Sequence, residues 1–163
     1  MKKYHLLQPE VIIGLGNNTI FAEKYPPFRT IKKLHICFED WLGDDLMENS
    51  GCFIVTNRLK EGLDENFPEC VDTIWIEATK DECFEYVHGS NAPLPDIYWA
   101  QIIGKENIHD LFLGKDGTLR GSNEFIEYLK NNFTVDHLEI DPERNEFDDL
   151  LDRMLSERKE QSL

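Results

Sequence analysis

The chain has 163 residues, 40% of them hydrophobic and 11% aromatic, which suits one domain with a self-sufficient core and excludes a disordered acidic tail. Its 17 basic and 32 acidic side chains give a formal net charge of −15, a field that repels nucleic acid and anionic lipid and attracts basic partners. No run approaches the roughly 20 apolar residues of a membrane helix, and Gln8, Pro9 and Glu10 interrupt the N-terminal apolar residues before a signal core forms, so a cytoplasmic address is expected.

The charge is unevenly placed. Residues 1–36 hold six Lys/Arg against two acids, a net of +4, which leaves 11 against 30, a net of −19, in residues 37–163. In chain order, the first apolar run ends at Gly14-Leu15-Gly16-Asn17-Asn18, read as a turn, and Pro26-Pro27 mark a loop. Residues 31–38 have the apolar content of a strand, with Ile31, Leu34, Ile36 and Phe38 inward. Cys52-Phe53-Ile54-Val55 is a continuous apolar run typical of a buried strand. Thr56 then caps a helix over 57–66, with Leu59 and Leu63 at i, i+4 spacing. Residues 71–77 alternate, a short helix is expected around 80–87, and 97–103 read as a central strand. Asp116-Gly117 between two apolar runs predicts a hairpin, and Ser122 caps a helix over 123–132. A strand over 134–140 follows. Asp141-Pro142 then open a last helix whose apolar positions Phe147, Leu150, Leu151, Met154 and Leu155 form a stripe.

One pattern occurs twice. Thr56-Asn57-x-Leu59-x-Glu61-x-Leu63-x-x-Asn66-Phe67 returns as Ser122-Asn123-x-Phe125-x-Glu127-x-Leu129-x-x-Asn132-Phe133. Val71-Asp72-x-Ile74-x-Ile76 after the first copy resembles Val135-Asp136-x-Leu138-x-Ile140 after the second. The whole reads as a mixed α/β chain of the α+β type, a single domain over 1–163. Its sheet is largely antiparallel or mixed, with two similar strand–helix–strand units and a C-terminal amphipathic helix.

Motifs for chemistry are sparse. Gly14-Leu15-Gly16 lacks the third glycine of a dinucleotide loop, because Thr19 stands there. The four cysteines (Cys37, Cys52, Cys70, Cys83) form no C-x-x-C pair, and none of the five histidines shares metal-ligand spacing with another on a helix. Neither a metal nor a cofactor is expected. His35-x-Cys37 places an imidazole and a thiol on one strand face, but Glu39-Asp40 beside them disfavour a thiolate, and a satisfied core histidine is the competing reading. No catalytic constellation emerges, and a non-enzymatic protein is expected.

The strongest local signal is Glu39-Asp40-Trp41-Leu42-Gly43-Asp44-Asp45-Leu46, an indole set among four carboxylates. That composition fits a hot spot for a basic partner, with aromatic area for affinity and carboxylates for arginine or lysine. The alternative is structural: Trp41, Leu42 and Leu46 bury, and Asp44 and Asp45 sit in the first turn of a helix. Asp96-Ile97-Tyr98-Trp99 is a second candidate surface, where Tyr98 or Trp99 lines a groove or joins the core. Glu143, Glu146, Asp148, Asp149 and Asp152 make the last helix a third acidic face.

Leu34-His35 through Trp41-Leu42-Gly43-Asp44-Asp45-Leu46, then Cys52-Phe53-Ile54-Val55-Thr56-Asn57-Arg58-Leu59, resembles the immunity proteins of bacterial polymorphic toxin systems. Leu94-Pro95-x-x-Tyr98-Trp99 and the hairpin-to-helix segment 111–129 extend the resemblance over about residues 4–140, leaving the last helix outside it. It implies a cytoplasmic protein that neutralises one cognate toxin domain, often a nuclease with a basic surface, by tight binding without catalysis. Glu39, Asp40, Trp41, Asp44, Asp45, Asp96 and Tyr98 are the expected partner-binding residues. The alternatives are a generic intracellular interaction or regulatory domain and a small enzyme using His35, Cys37 and Asp40.

Overall fold

The computed structural model describes residues 2–11, 13–22, 31–143 and 146–161. Its elements, in chain order, are β1 (Tyr4–Gln8), β2 (Ile13–Leu15), β3 (Ile20–Phe21), β4 (Ile31–Lys33), β5 (His35–Phe38), β6 (Leu46–Asn49), β7 (Cys52–Thr56), α1 (Asn57–Asn66), β8 (Val71–Trp75), β9 (Glu77–Lys80), α2 (Glu82–His88), β10 (Ile97–Ile102), β11 (Leu111–Leu113), β12 (Leu119–Ser122), α3 (Asn123–Asn132), β13 (Glu139–Ile140) and α4 (Glu146–Gln161). This is the mixed α+β chain expected, with sheets that are mostly antiparallel and β5–β9 paired in parallel.

Two four-stranded sheets share one topology. Their orders are β6-β7-β10-β8 and β11-β12-β1-β13, antiparallel throughout. In each, a hairpin leads into a helix (α1 or α3) and the chain returns as an edge strand, while a strand from elsewhere in the sequence fills the gap. The two fillers are exchanged. β1 precedes the first hairpin yet completes the second unit, and β10 precedes the second hairpin yet completes the first. The internal repeat in the sequence is therefore real in three dimensions, and larger than the strand–helix–strand read from the motifs.

Side-chain chemistry repeats with the topology. Thr56 N donates to Asp45 O (3.0 Å) and Thr56 Oγ1 to Asp45 Oδ1 (2.6 Å); likewise Ser122 N donates to Asp110 O (2.8 Å) and Ser122 Oγ to Asp110 Oδ1 (2.7 Å). Ser122 Oγ also accepts from Phe125 N, as a helix cap should, whereas Thr56 makes no side-chain cap bond. The first cap expected from the sequence thus holds in backbone conformation only, because its hydroxyl is committed to Asp45.

The sheet containing β7 has a core on each face, which is why all five residues of Cys52–Thr56 are buried. Phe53, Val55 and Ala100 pack with Leu59, Leu63, Phe125 and Leu129 beneath α1 and α3, together with Leu7, Leu111 and Leu119 of the other sheet. On the opposite face Met47, Cys52, Ile54 and Ile97 meet Ile13, Ile36 and Phe38 of the β2-β5-β9 sheet and Phe84 of α2. Ser50 and Gly51 join β6 to β7 with φ of 52° and 78°, the left-handed pair that a two-residue hairpin turn requires.

Several expectations need correction. The strand over 31–38 breaks at Leu34 into β4 and β5, and the strand over 71–77 breaks at Ile76, which is buried while Trp75 is 67% exposed. Beyond the break, β9 pairs with β5 instead of β10. Gly14 lies within β2 rather than in a turn, and Pro26-Pro27 lie outside the described residues. Only Glu139–Ile140 of the expected strand 134–140 pairs, because the amides of Thr134 and His137 are taken by carboxylates. Asp141 has φ of 48° and its Oδ1 accepts from Leu6 N, so it ties down β1 instead of capping a helix. α4 forms, but Phe147, Leu150, Leu151, Met154 and Leu155 are all exposed and neither core cluster includes them.

Candidate functional site

After β5 the chain crosses the end of the central sheet and enters β6 at Leu46. Asp44 and Asp45 lie on this crossing, and both are buried, Asp44 completely. That corrects the expectation that they face a partner. They do not open a helix either, since a strand follows. Burying a carboxylate requires donors around it, and both have them. Asp45 accepts from Thr56 Oγ1 (2.6 Å), Thr134 N (2.8 Å) and Arg58 Nη2 (3.0 Å). Asp44 Oδ2 accepts from His137 N (2.9 Å), and its Oδ1 lies 3.0 Å from His137 Nδ1. The pair therefore fastens the start of β6 to the turn after α3.

Glu10 completes a cluster with Asp44 and His137. Its main chain bridges to Met47, with Glu48 N donating to Glu10 O at 2.9 Å, and this directs its side chain inward. Glu10 Oε2 is 3.7 Å from His137 Nδ1 and, among the described residues, has no hydrogen-bond partner. Burial pushes the Glu10 carboxyl above the usual carboxylate range; His137 pulls it down, and the negative charges of Asp44 and Asp40 push it up. The hydrogen bond to Asp44 holds the His137 imidazole above its ordinary value, with the Glu10 charge adding to it. One donor atom from each of Glu10, Asp44 and His137 lies within 4.8 Å of the other two. Such a set can share a proton, or hold a cation.

No protein-family model, curated protein or solved structure matches this chain.

The remaining candidate residues are divided between two places. Glu39 is exposed; Asp40 is half-buried, pairs with His88 Nε2 at 2.5 Å and accepts from Trp41 N, and the His88 bond holds its carboxyl below the usual range. Trp41 is half-buried against the second core cluster and donates its indole N–H to Asp44 O (3.0 Å), so most of its face is structural, while Leu42 beside it is exposed. Asp96 is exposed at the same end of the sheet as Asp45, its carbonyl accepting from Asn57 N at the start of α1. Tyr98 packs under the helices with Lys60 Nζ 5.2 Å from its ring centroid, whereas Trp99, on the other face, joins Trp75 and Ile31 in an open groove of about 400 Å³. Trp99 rather than Tyr98 is the groove residue.

His35 is buried, its Nδ1 accepting from Asn18 N (3.1 Å) and its Nε2 lying 2.7 Å from Thr79 Oγ1. With both ring nitrogens occupied it is a satisfied core histidine. Sequence reading missed Glu10, His137 and His88, which lie far from each partner in the chain. No local signal marks them, because spacing rules detect ligands on one helix or turn and these arrive from separate segments.

Proposed function

We propose that this protein is an immunity protein, neutralising a cognate bacterial toxin domain by covering its basic surface through tight protein–protein binding. The observation that carries the reading is the charge on the solvent faces of the helices. Glu61, Asp64 and Glu65 of α1, Glu82 and Glu85 of α2 and Glu124 and Glu127 of α3 are all exposed, against Arg58 and Lys130 as exposed cations on those helices. Glu39, Asp40 and Asp96 add carboxylates at the loop end of the central sheet, with Leu42 as an apolar contact beside them. Carboxylates arrayed this way can occupy positions a nuclease reserves for phosphates and accelerate encounter at low salt. The motif resemblance points the same way.

A second reading, a generic intracellular interaction domain, is favoured by the exposed apolar stripe of α4, which has the spacing of a helix that docks. A growth assay separates the two. The C-terminal domain encoded by the neighbouring open reading frame is expressed in a bacterium with and without this protein. Rescue of growth together with a co-purifying complex supports immunity; toxicity that persists, or a harmless neighbour, removes it and leaves the interaction domain. Reversing Glu39, Asp40 and Asp96 to lysine is expected to weaken the complex about tenfold or more while the fold persists.

A further inference from the structure

We infer that Glu10, Asp44 and His137 form a binding site for one zinc-class divalent metal ion, a staple that ties together three segments distant in sequence. The site uses Glu10 Oε2, Asp44 Oδ1 and His137 Nδ1, which come from the bridge before β2, the entry to β6 and the turn after α3.

Three observations carry it. The first is spacing. Ligand bonds of about 2.0–2.1 Å in a tetrahedron place donor atoms about 3.3 Å apart. Here the two carboxylate oxygens are 3.0 and 3.7 Å from the imidazole nitrogen, and all three atoms lie within 4.8 Å of one another. Both distances to the nitrogen lie within about 0.4 Å of that spacing. The second is Glu10 Oε2, a carboxylate oxygen on a side chain more than nine-tenths buried, directed into the cluster and without a hydrogen-bond partner among the described residues. A buried carboxylate oxygen without a hydrogen bond is costly, and with the imidazole 3.7 Å away a cation held between them would satisfy it. The third is charge. Two carboxylates and one imidazole converge with no lysine or arginine among them. A divalent ion matches the two carboxylate charges, the imidazole adding a neutral donor.

The outer shell is already built. Asp44 Oδ2 is held by His137 N, which turns Oδ1 toward the imidazole, and the Trp41 indole fixes the Asp44 main chain by donating to its carbonyl. The His137 side chain is 42% exposed, so the ion enters from solvent and keeps a water as its fourth ligand. One imidazole nitrogen with two carboxylates selects zinc and its transition-metal neighbours over magnesium and calcium, which prefer all-oxygen shells.

The test is calorimetric titration of zinc chloride into the chelator-stripped full chain, with magnesium and calcium as comparators. The expected result is one zinc ion per chain, bound at least about 100-fold tighter than magnesium. Glu10→Gln, which removes a buried charge without changing size, and His137→Gln, on an exposed turn, are each expected to weaken zinc binding by more than about 100-fold, beyond the loss typical of outer-shell changes. A readout on the unaltered chain guards against variants that misfold: zinc should shift the imidazole nitrogen resonances of His137 alone among the five histidines. Absence of stoichiometric zinc binding overturns the proposal, as does unweakened binding in both variants or a zinc shift at another histidine in place of His137. The outcome is independent of whether a toxin is the partner.

Discussion

Asp45 shows what a buried charge demands at the scale of one residue. Three donors converge on it: the Thr56 hydroxyl, the Thr134 amide and the Arg58 guanidinium. Removing the carboxylate leaves the buried Thr56 hydroxyl and the Thr134 amide without their acceptor. Asp45→Ala is therefore expected to destabilise the fold by about 3 kcal/mol or more, read as a lower urea midpoint with an unchanged slope. A lysine there, or at Asp44, would unfold the protein, so charge reversal as a test of binding belongs at Glu39, Asp40 and Asp96. Asp141 offers a pH prediction. The hydrogen bond from His5 (2.5 Å) holds its carboxyl below the usual range, with the Leu6 amide adding to this. An acid lowered in the folded state contributes stability that is present above its unfolded value, about 3.9, and lost as pH falls through the lower folded value. Asp141→Asn, which tolerates the same left-handed backbone, is expected to flatten the decline in stability between about pH 5 and pH 2 in urea titrations run across that range.

At the scale of elements, the contact between α1 and α3 decides the sign of one substitution. Gly62 lies inside α1, where alanine is worth about 1 kcal/mol more in helix propensity. Yet a Cβ there would meet Tyr128 Oη at 2.5 Å and Phe133 Cζ at 2.7 Å, and Phe67 and Phe133 both pack edge-on to Tyr128. Gly62→Ala is therefore expected to destabilise by about 1–3 kcal/mol, the overpacking cost, by thermal or urea unfolding. The two helix caps differ in the same concrete way. Ser122→Ala removes a cap bond to Phe125 N and a donor to Asp110, and is expected to cost about 1–2 kcal/mol. These helices were legible in advance to the residue, because a hydroxyl before an i, i+4 apolar stripe is a local signal and packing reinforced it. The strand after α3 was not legible: Val135 to Ile140 carries a strand-like pattern, but Asp44 and Asp45 capture the Thr134 and His137 amides and turn the chain.

Over the whole molecule, two units of the same topology exchange their third strands, and an acid–imidazole pair lies beside each. His109, just before Asp110, lies 3.6 Å from Glu69, as Asp44, just before Asp45, lies 3.0 Å from His137. Among the described residues, the Asp44–His137 pair has a third member, Glu10. α4 stands apart from this arrangement. Leu150→Glu with Leu155→Glu is expected to change the unfolding free energy by no more than about 0.5 kcal/mol per site, since neither side chain is buried. A larger loss would mean that the stripe is covered in solution. Among the described residues no helix is long and apolar enough to cross a membrane.

Local physics alone determined a good deal: the α+β class, helices α1 and α3, the Asp-Gly hairpin, the buried run at β7, the repeat and the acidic bias. Each depends on residues a few positions apart, where caps, periodicity and turn chemistry act. Tertiary structure decided the rest. Whether an aspartate faces a partner or the interior depends on which amides reach it, and those of Thr134 and His137 come from about ninety residues away. The exchange of β1 and β10 is likewise a matter of which edge each strand finds, and no spacing in the chain records it. The Glu10–Asp44–His137 cluster exists only because three separate loops meet at one end of a sheet. A charge can be counted along a chain, but its surroundings are a property of the fold.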